Sequence, residues 1–452
     1  MNKIILLLNE IRQVLASKDS KMLARFCSDH HPALLAEILE QLSPEEVYSI
    51  LHDFPLEYKA AVMGLLEPTT QLNVASMMED SELASLINEM YSDERVDFIK
   101  LLPEVRGANV LRQVARKERE DILQLGAHQE GTAGAIMTSE YIFLKEELTV
   151  REALDRIRLE APDTETVYYA YIIDDERLLT GFVSLRDLIM SASYVQLKDI
   201  MKRELVYAYV QDSQESVAQK LSQYDLIAIP VIDKDEKLVG IVTFDDALDV
   251  AEEEATSDFH QMGAAGIFNI SMRDAGIWLL YQKRLPWLLV LVFMNIFSGA
   301  GIAYFEDTIQ AVVALVFFLP LLIDSGGNAG SQSATLMVRA LATGDVEMRD
   351  WLRLFFREIT VALCIGVTMG IAVSVIGVFR GGPDVAVVVS ATMVGVVLLG
   401  SLIGMSLPFI LTRFKLDPAT ASAPLVTSLA DIAGVILYFS IATWYFGIVD
   451  GI

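Results

Sequence analysis

The sequence predicts a multidomain membrane protein: an α-helical, superhelical N domain, a doubled α/β module, and an all-α transmembrane domain of five helices. Three observations carry this prediction. Hydrophobic side chains make up 53% of the 452 residues, and the long apolar runs crowd into the region after residue 275. Charge divides the same way, with 50 acidic and 26 basic side chains in residues 1–275 against 11 and 9 in residues 276–452. Residues 131–251, finally, repeat themselves with a period of about 60. The expected boundaries are 1–130, 131–251, a connecting helix over 252–275, and 276–452.

Residues 1–130 read as short amphipathic helices separated by Ser43-Pro44-Glu45-Glu46, Phe54-Pro55, Glu67-Pro68 and Leu102-Pro103-Glu104. Helices this short gain their stability by stacking on neighbours, as in a superhelix. Asp93 and Asp97 lie one turn apart, where they could share a cation or form a solvated face. Met1 to Leu8 is too short for a signal peptide, so the N-terminal region is expected in the cytoplasm.

In the repeat, Ile136-Met137-Thr138-Ser139-Glu140 returns as Ile200-Met201-Lys202-Arg203-Glu204. Gly181-Phe182-Val183-Ser184 returns as Gly240-Ile241-Val242-Thr243. Each copy alternates β-rich runs with helices. The doubled motif resembles a tandem of cystathionine-β-synthase (CBS) domains. That resemblance implies a possible adenine nucleotide such as ATP, with Tyr169, Arg186, Asp187 and Pro230 as its contacts. In both copies a Ser/Thr-x-x-Asp sequence (Ser184 with Asp187, Thr243 with Asp246) suits either a phosphate and ribose or a helix cap.

An acidic helical stretch from Asp245 to about Ile270 leads towards the membrane. Its like charges, among them Asp246, Asp249, Glu254 and Asp258, recur at three- and four-residue spacings with few lysines between them. Divalent cations held by carboxylate oxygens would relieve that repulsion.

Five spans are expected, at Pro286–Tyr304, Ile309–Ala342, Phe355–Phe379, Val385–Leu411 and Ala421–Ile448. Lys283, Arg284, Arg349, Arg353, Arg357, Arg413 and Lys415 flank one side, while the opposite loops offer Arg380. This bias places the N-terminal domains in the cytoplasm and the C-terminus outside a cell (inner) membrane.

The last span carries Asp431, and a carboxylate at mid-membrane is penalised by about 2.5–3.5 kcal/mol. Thr427, Ser428 and Gly434 share its helical face. The second span answers with Asp324, Gly327, Asn328, Ser331 and Thr335 on one face, and its glycines suggest exposed carbonyls near Pro320 and Gly326. Such faces either pack closely or line an aqueous path, and the charge favours a path.

The acidic soluble half excludes nucleic-acid binding, which needs basic surface. There is no GxxxxGK[ST], GxSxG or HExxH sequence, and Cys27 and Cys364 lack metal-site spacing, so no enzyme chemistry is visible.

The order of modules, with Gly326-Gly327-Asn328-Ala329-Gly330-Ser331-Gln332 in the second span and Leu425-Val426-Thr427-Ser428-Leu429-Ala430-Asp431 in the fifth, resembles the MgtE magnesium channels and transporters over essentially the whole chain. The resemblance implies a homodimer in the lipid bilayer whose pore holds hydrated Mg²⁺ at Asp431 from each chain. It implies gate closure by cytosolic Mg²⁺ at Asp93, Asp97, Glu215, Asp225, Asp246, Asp249, Glu254, Asp258 and Asp417. Two alternatives stand beside it: a broader Mn²⁺ or Co²⁺ transporter, and a membrane-anchored nucleotide sensor that transports nothing.

Overall fold

Turn chemistry starts the N-domain helices where the sequence places it. Ser43 caps helix Pro44–His52 through a capping box with Glu46, and the Pro55, Glu67-Pro68 and Pro103 punctuation opens helices Leu56–Gly64, Pro68–Ala75 and Glu104–Leu111. Successive helices pack on the next but one, which generates a superhelix. This computed structural model describes residues 2–17, 19–263 and 275–447. It divides into two units, Met1–Glu252 and Glu253–Ile452.

Within the first unit, each repeat forms a three-stranded sheet: β1 (Ile142–Leu144), β2 (Tyr169–Ile173) and β3 (Leu179–Ser184), then β4 (Ala208–Tyr209), β5 (Ala228–Ile232) and β6 (Leu238–Thr243). In both sheets the first pair is parallel and the second antiparallel. The repeated Ile-Met motif has a structural purpose. Thr138 exchanges backbone hydrogen bonds with Ile241 of the other repeat (2.8 and 3.0 Å), and Lys202 does the same with Phe182 (2.9 and 3.0 Å). Apolar side chains of the N domain (Leu39, Leu86, Phe98) and of the second repeat (Val217, Ile229, Val242) form one core, while the first repeat has its own. Polar contacts add to the docking: the Ser92 hydroxyl meets that of Thr138 at 2.8 Å, and Arg95 pairs with Glu140 at 3.0 Å.

Among the described residues of the second unit, four helices are long and apolar enough to cross a membrane. The longest, Trp351–Arg413, reverses at Gly382, where φ of 82° requires glycine. Beyond the reversal the two arms run back along each other, with the Ser390 hydroxyl donating to the Gly370 carbonyl at 3.0 Å. Among the described residues, five apolar passes result, as the sequence predicts. The first is longer than expected (Ile277–Tyr304), because Pro286 sits inside the helix rather than starting it. The second begins at Ala314, after a separate short helix Glu306–Ala311, and runs unbroken through Pro320 and Gly326 to Ala342.

The expected open carbonyls near Gly326 are therefore corrected. The Gly326 and Gly330 carbonyls press into the space that a Cβ would occupy at Gly400 and Gly404 of the fourth pass. These glycines make a close helix crossing. Tyr438, fully buried, donates to the Leu315 carbonyl at 2.9 Å and ties the fifth pass (Ala423–Phe446) to the second. The connecting helix is observed over Phe244–Met262; its expected continuation over 264–274 lies outside the described residues.

Candidate functional site

Asp431 lines a cavity of about 260 Å³ together with Asp324, Thr427, Pro320, Leu319 and Ile323. One carboxylate oxygen of Asp431 is buried and has no hydrogen-bond partner. Gly327 lies against the Thr427 side chain, and the Ser331 hydroxyl sits 3.1 Å from that of Thr427 and 3.3 Å from the Ala423 carbonyl. The second and fifth passes thus meet along hydroxyls and small side chains. Asn328 donates to Asp324 at 3.2 Å, which holds that exposed carboxylate beside the cavity.

Of the residues expected to line a path, Asp324, Thr427 and Asp431 reach the cavity, while Gly327 and Ser331 build the seam next to it. Ser428 is a correction: it is buried in the helix packing and does not line the cavity. Three residues N-terminal to Asp431, it lies about 60° away around the helix, enough to turn it inward.

At the end of the connecting helix, Gln261 donates to the Asp417 carboxylate at 2.6 Å and accepts from Thr420 at 3.2 Å. Asp417 also caps the turn before the fifth pass, accepting from the Ala419 amide at 2.8 Å. Asp258 faces the same group. Burial, with Asp417 and then Glu254 nearby, pushes its carboxyl up to about 6. The structure thus gathers the expected ligands Glu254, Asp258 and Asp417.

A second acidic cluster lies in the first unit, where the N domain meets the repeats. Burial, then the charge of Asp93, raises the Asp246 carboxyl, and burial also raises Asp93. Glu94 and Glu165, which sequence reasoning passed over, are each pushed up to about 8 by burial and then by Asp93. Asp97 instead points to Lys100 at 3.6 Å. Asp249 is exposed on the following turn of the connecting helix. Glu215 lies in the first turn of helix Gln214–Gln223, and Asp225, with a φ of 51°, lies two residues past its end.

The residues expected to hold a nucleotide are partly engaged in other contacts. Ser184 caps the helix Leu185–Met190 and donates to Asp187 at 2.6 Å, and Lys202 lies 3.6 Å from the same carboxylate. Tyr169 packs edge-on to Phe182, Pro230 is buried in β5, and Arg186 is exposed. The Ser184–Asp187 pair therefore acts as a helix cap in this structure.

Glu358, in the third pass, was also missed; it accepts a hydrogen bond from buried Ser333 of the second pass at 3.0 Å. A lone acid beginning an apolar run was the available signal.

Comparison with known proteins identifies the family. Residues 319–441 match the divalent cation transporter model MgtE, residues 30–131 the MgtE intracellular N domain, and residues 133–193 and 197–253 the CBS domain. The chain is 35% identical to the magnesium transporter MgtE of Thermus thermophilus over 96% of its own length and 97% of the relative's. It is 30% identical to that of Bacillus subtilis, over 90% and 92%. A solved cytosolic domain of the Mg²⁺ channel MgtE in complex with ATP is similar over 53% of this chain and 98% of that one, at 31% identity and a TM-score of 0.50. The soluble part of a magnesium transporter is similar at 30% identity, with a TM-score of 0.52 over 56% of this chain and 98% of that one. The chain belongs to the MgtE family of divalent cation transporters.

Proposed function

We propose that the chain conducts Mg²⁺ into the cytoplasm as a homodimer in the cell (inner) membrane, with its C-terminus outside. In this reading, Mg²⁺ bound by the cytosolic carboxylates closes the path. The observation that carries the transport reading is the unpartnered Asp431 carboxylate on a cavity it shares with Asp324 and Thr427. Mg²⁺ gives up its water reluctantly and is usually held through several waters by one or two carboxylates. Two acidic side chains, Asp431 and Asp324, beside the Thr427 hydroxyl suit such an ion, and a divalent charge neutralises facing carboxylates better than Na⁺ does.

The regulatory reading rests on the two acidic groups. Gln261 and Asp417 join the connecting helix to the turn that starts the pass carrying Asp431, so ions at Glu254, Asp258 and Asp417 act directly on that turn. ATP or another adenine nucleotide at the repeats is part of the proposal, supported by the relative crystallised with ATP. Purified protein in liposomes tests the transport reading. Mg²⁺ uptake that outlasts competition by excess Na⁺ is expected. Equal conduction of Mn²⁺ and Co²⁺ would make this a general divalent transporter, and no flux at all would leave a membrane-anchored nucleotide sensor.

A further inference from the structure

The inner end of the third pass carries two arginines that the fold leaves without a protein partner. This pass opens at Trp351 and keeps Leu354 and Ala362 buried against the other passes. That phase turns Arg353 and Arg357 outwards one turn apart, with Leu352 and Phe356, 57% and 62% exposed, beside them. The two stems stand about 6 Å apart along the helix axis. Among the described residues neither arginine has an ion pair or a side-chain hydrogen bond, and the acids around them are committed. Glu347 pairs with Arg349 at 3.0 Å, Asp350 accepts from the Glu347 amide at 3.0 Å, and Glu358 accepts from Ser333 of the second pass at 3.0 Å. Arg357 stands nearly two turns inside the helix, among Phe355, Phe356 and Ile359, where an unpaired charge facing lipid is costly. Side chains on a helix lean towards its N-terminus, here the cytoplasmic end, so both guanidinium groups reach back to the level of the headgroups.

We propose that Arg353 and Arg357 form a binding site for the phosphate of an anionic phospholipid of the inner leaflet, whose acyl chains lie along Leu352 and Phe356. The chemistry follows from the surface. Two guanidinium forks on successive turns suit the oxygens of a phosphodiester, and the exposed apolar side chains next to them suit a hydrocarbon chain. Basic side chains at the cytoplasmic end of a membrane helix are the sites that anionic headgroups occupy. A second copy of this chain is the poorer occupant, because a two-fold contact through this face would set arginine against arginine. The placement rests on the intracellular N domain and on the two crossings before the third pass, and is independent of ion conduction. Glu358, on the same turn, ties the third pass to the second, so a lipid held here fixes the depth of both helices.

The test is native mass spectrometry of the full-length protein in an uncharged detergent, titrated separately with phosphatidylglycerol, phosphatidylcholine and inorganic phosphate. The wild type is expected to retain phosphatidylglycerol at concentrations where the other two are lost. R353Q/R357Q should raise the phosphatidylglycerol midpoint by about tenfold or more, the scale of a lost charge-assisted hydrogen bond. R413Q/K415Q, which removes the same charge from exposed positions at the inner end of the fourth pass, should leave it unchanged. Equal retention of phosphatidylcholine, an unchanged midpoint in R353Q/R357Q, or equal shifts in the two double variants overturns the site. Inorganic phosphate bound as tightly as the lipid overturns it in favour of a free anion. Dimers lost in R353Q/R357Q with the midpoint unchanged overturn it in favour of a second copy. If R353Q/R357Q fails to fold, R357Q alone should raise the midpoint about threefold, half the same free energy, and no shift there refutes the site.

Discussion

The pore carboxylates and the cytosolic acidic cluster handle the same charge in opposite ways. Around Asp431 there are hydroxyls, small residues and one other carboxylate, Asp324, on an open cavity. Around Asp93 there are Glu94, Glu165, Asp245 and Asp246, with three buried oxygens lacking any partner. Two like charges 4 Å apart repel by about 4 kcal/mol at an effective dielectric of 20. Without an ion, burial keeps part of this cluster protonated near neutral pH; on the proposed reading a divalent ion would displace those protons. On the proposed reading the cavity at Asp431 should hold its ion weakly and through water, since an ion on a path must leave as readily as it enters.

This contrast predicts opposite outcomes for removing a charge from each region. The largest effect is expected at the pore. D431N keeps the shape of the side chain but should reduce Mg²⁺ uptake in liposomes more than tenfold, the scale of losing about 1.4 kcal/mol or more of ion stabilisation. Its thermal stability should be no lower than that of the wild type, because the change removes a costly charge from a membrane helix. Wild-type uptake with unchanged exclusion of Na⁺ would remove Asp431 from this role.

A smaller effect is expected from pH, and it sharpens the other side of the comparison. Burial raises the cluster's carboxyl groups, Glu94 and Glu165 to about 8, above their values in an unfolded chain. The folded state then binds protons more tightly than the unfolded state. The contribution of these groups to stability is full below the ordinary carboxylate range and is lost as pH rises through about 8. In chelator, the melting temperature of the protein should fall between about pH 5.5 and 8.5, and saturating Mg²⁺ should flatten or reverse that slope. The same downward slope with and without Mg²⁺ would mean that no ion neutralises these carboxylates.

How much of this was legible in the sequence depends on whether a feature is local. The capping box at Ser43, the doubled Ile-Met motif and the isolated charge of Asp431 each sit within a short stretch, and each is found where its pattern puts it. The reversal at Gly382 was also readable, because Gly381-Gly382-Pro383 interrupts an apolar run. Glu165 was not. The cluster draws one acid from an N-domain helix, one from a loop of the first repeat and two from the connecting helix, and no spacing along the chain records that meeting. Ser428 shows the limit of helical faces: it shares a polar stripe with Thr427 and Asp431, but the neighbouring helices decide which of the three is buried. The Gly326–Gly330 and Gly400–Gly404 crossing likewise needed two helices to be seen at once.

On the proposed reading, cytosolic Mg²⁺ occupying the acidic groups closes a path lined by Asp431. It is tested most directly by recording Mg²⁺ current through membrane patches while the cytosolic face is perfused with rising free Mg²⁺ at constant ionic strength. The current should fall steeply towards millimolar Mg²⁺, recover on washout, and be insensitive to the same change in K⁺. A current that stays constant across that range, or that responds equally to K⁺, would contradict it.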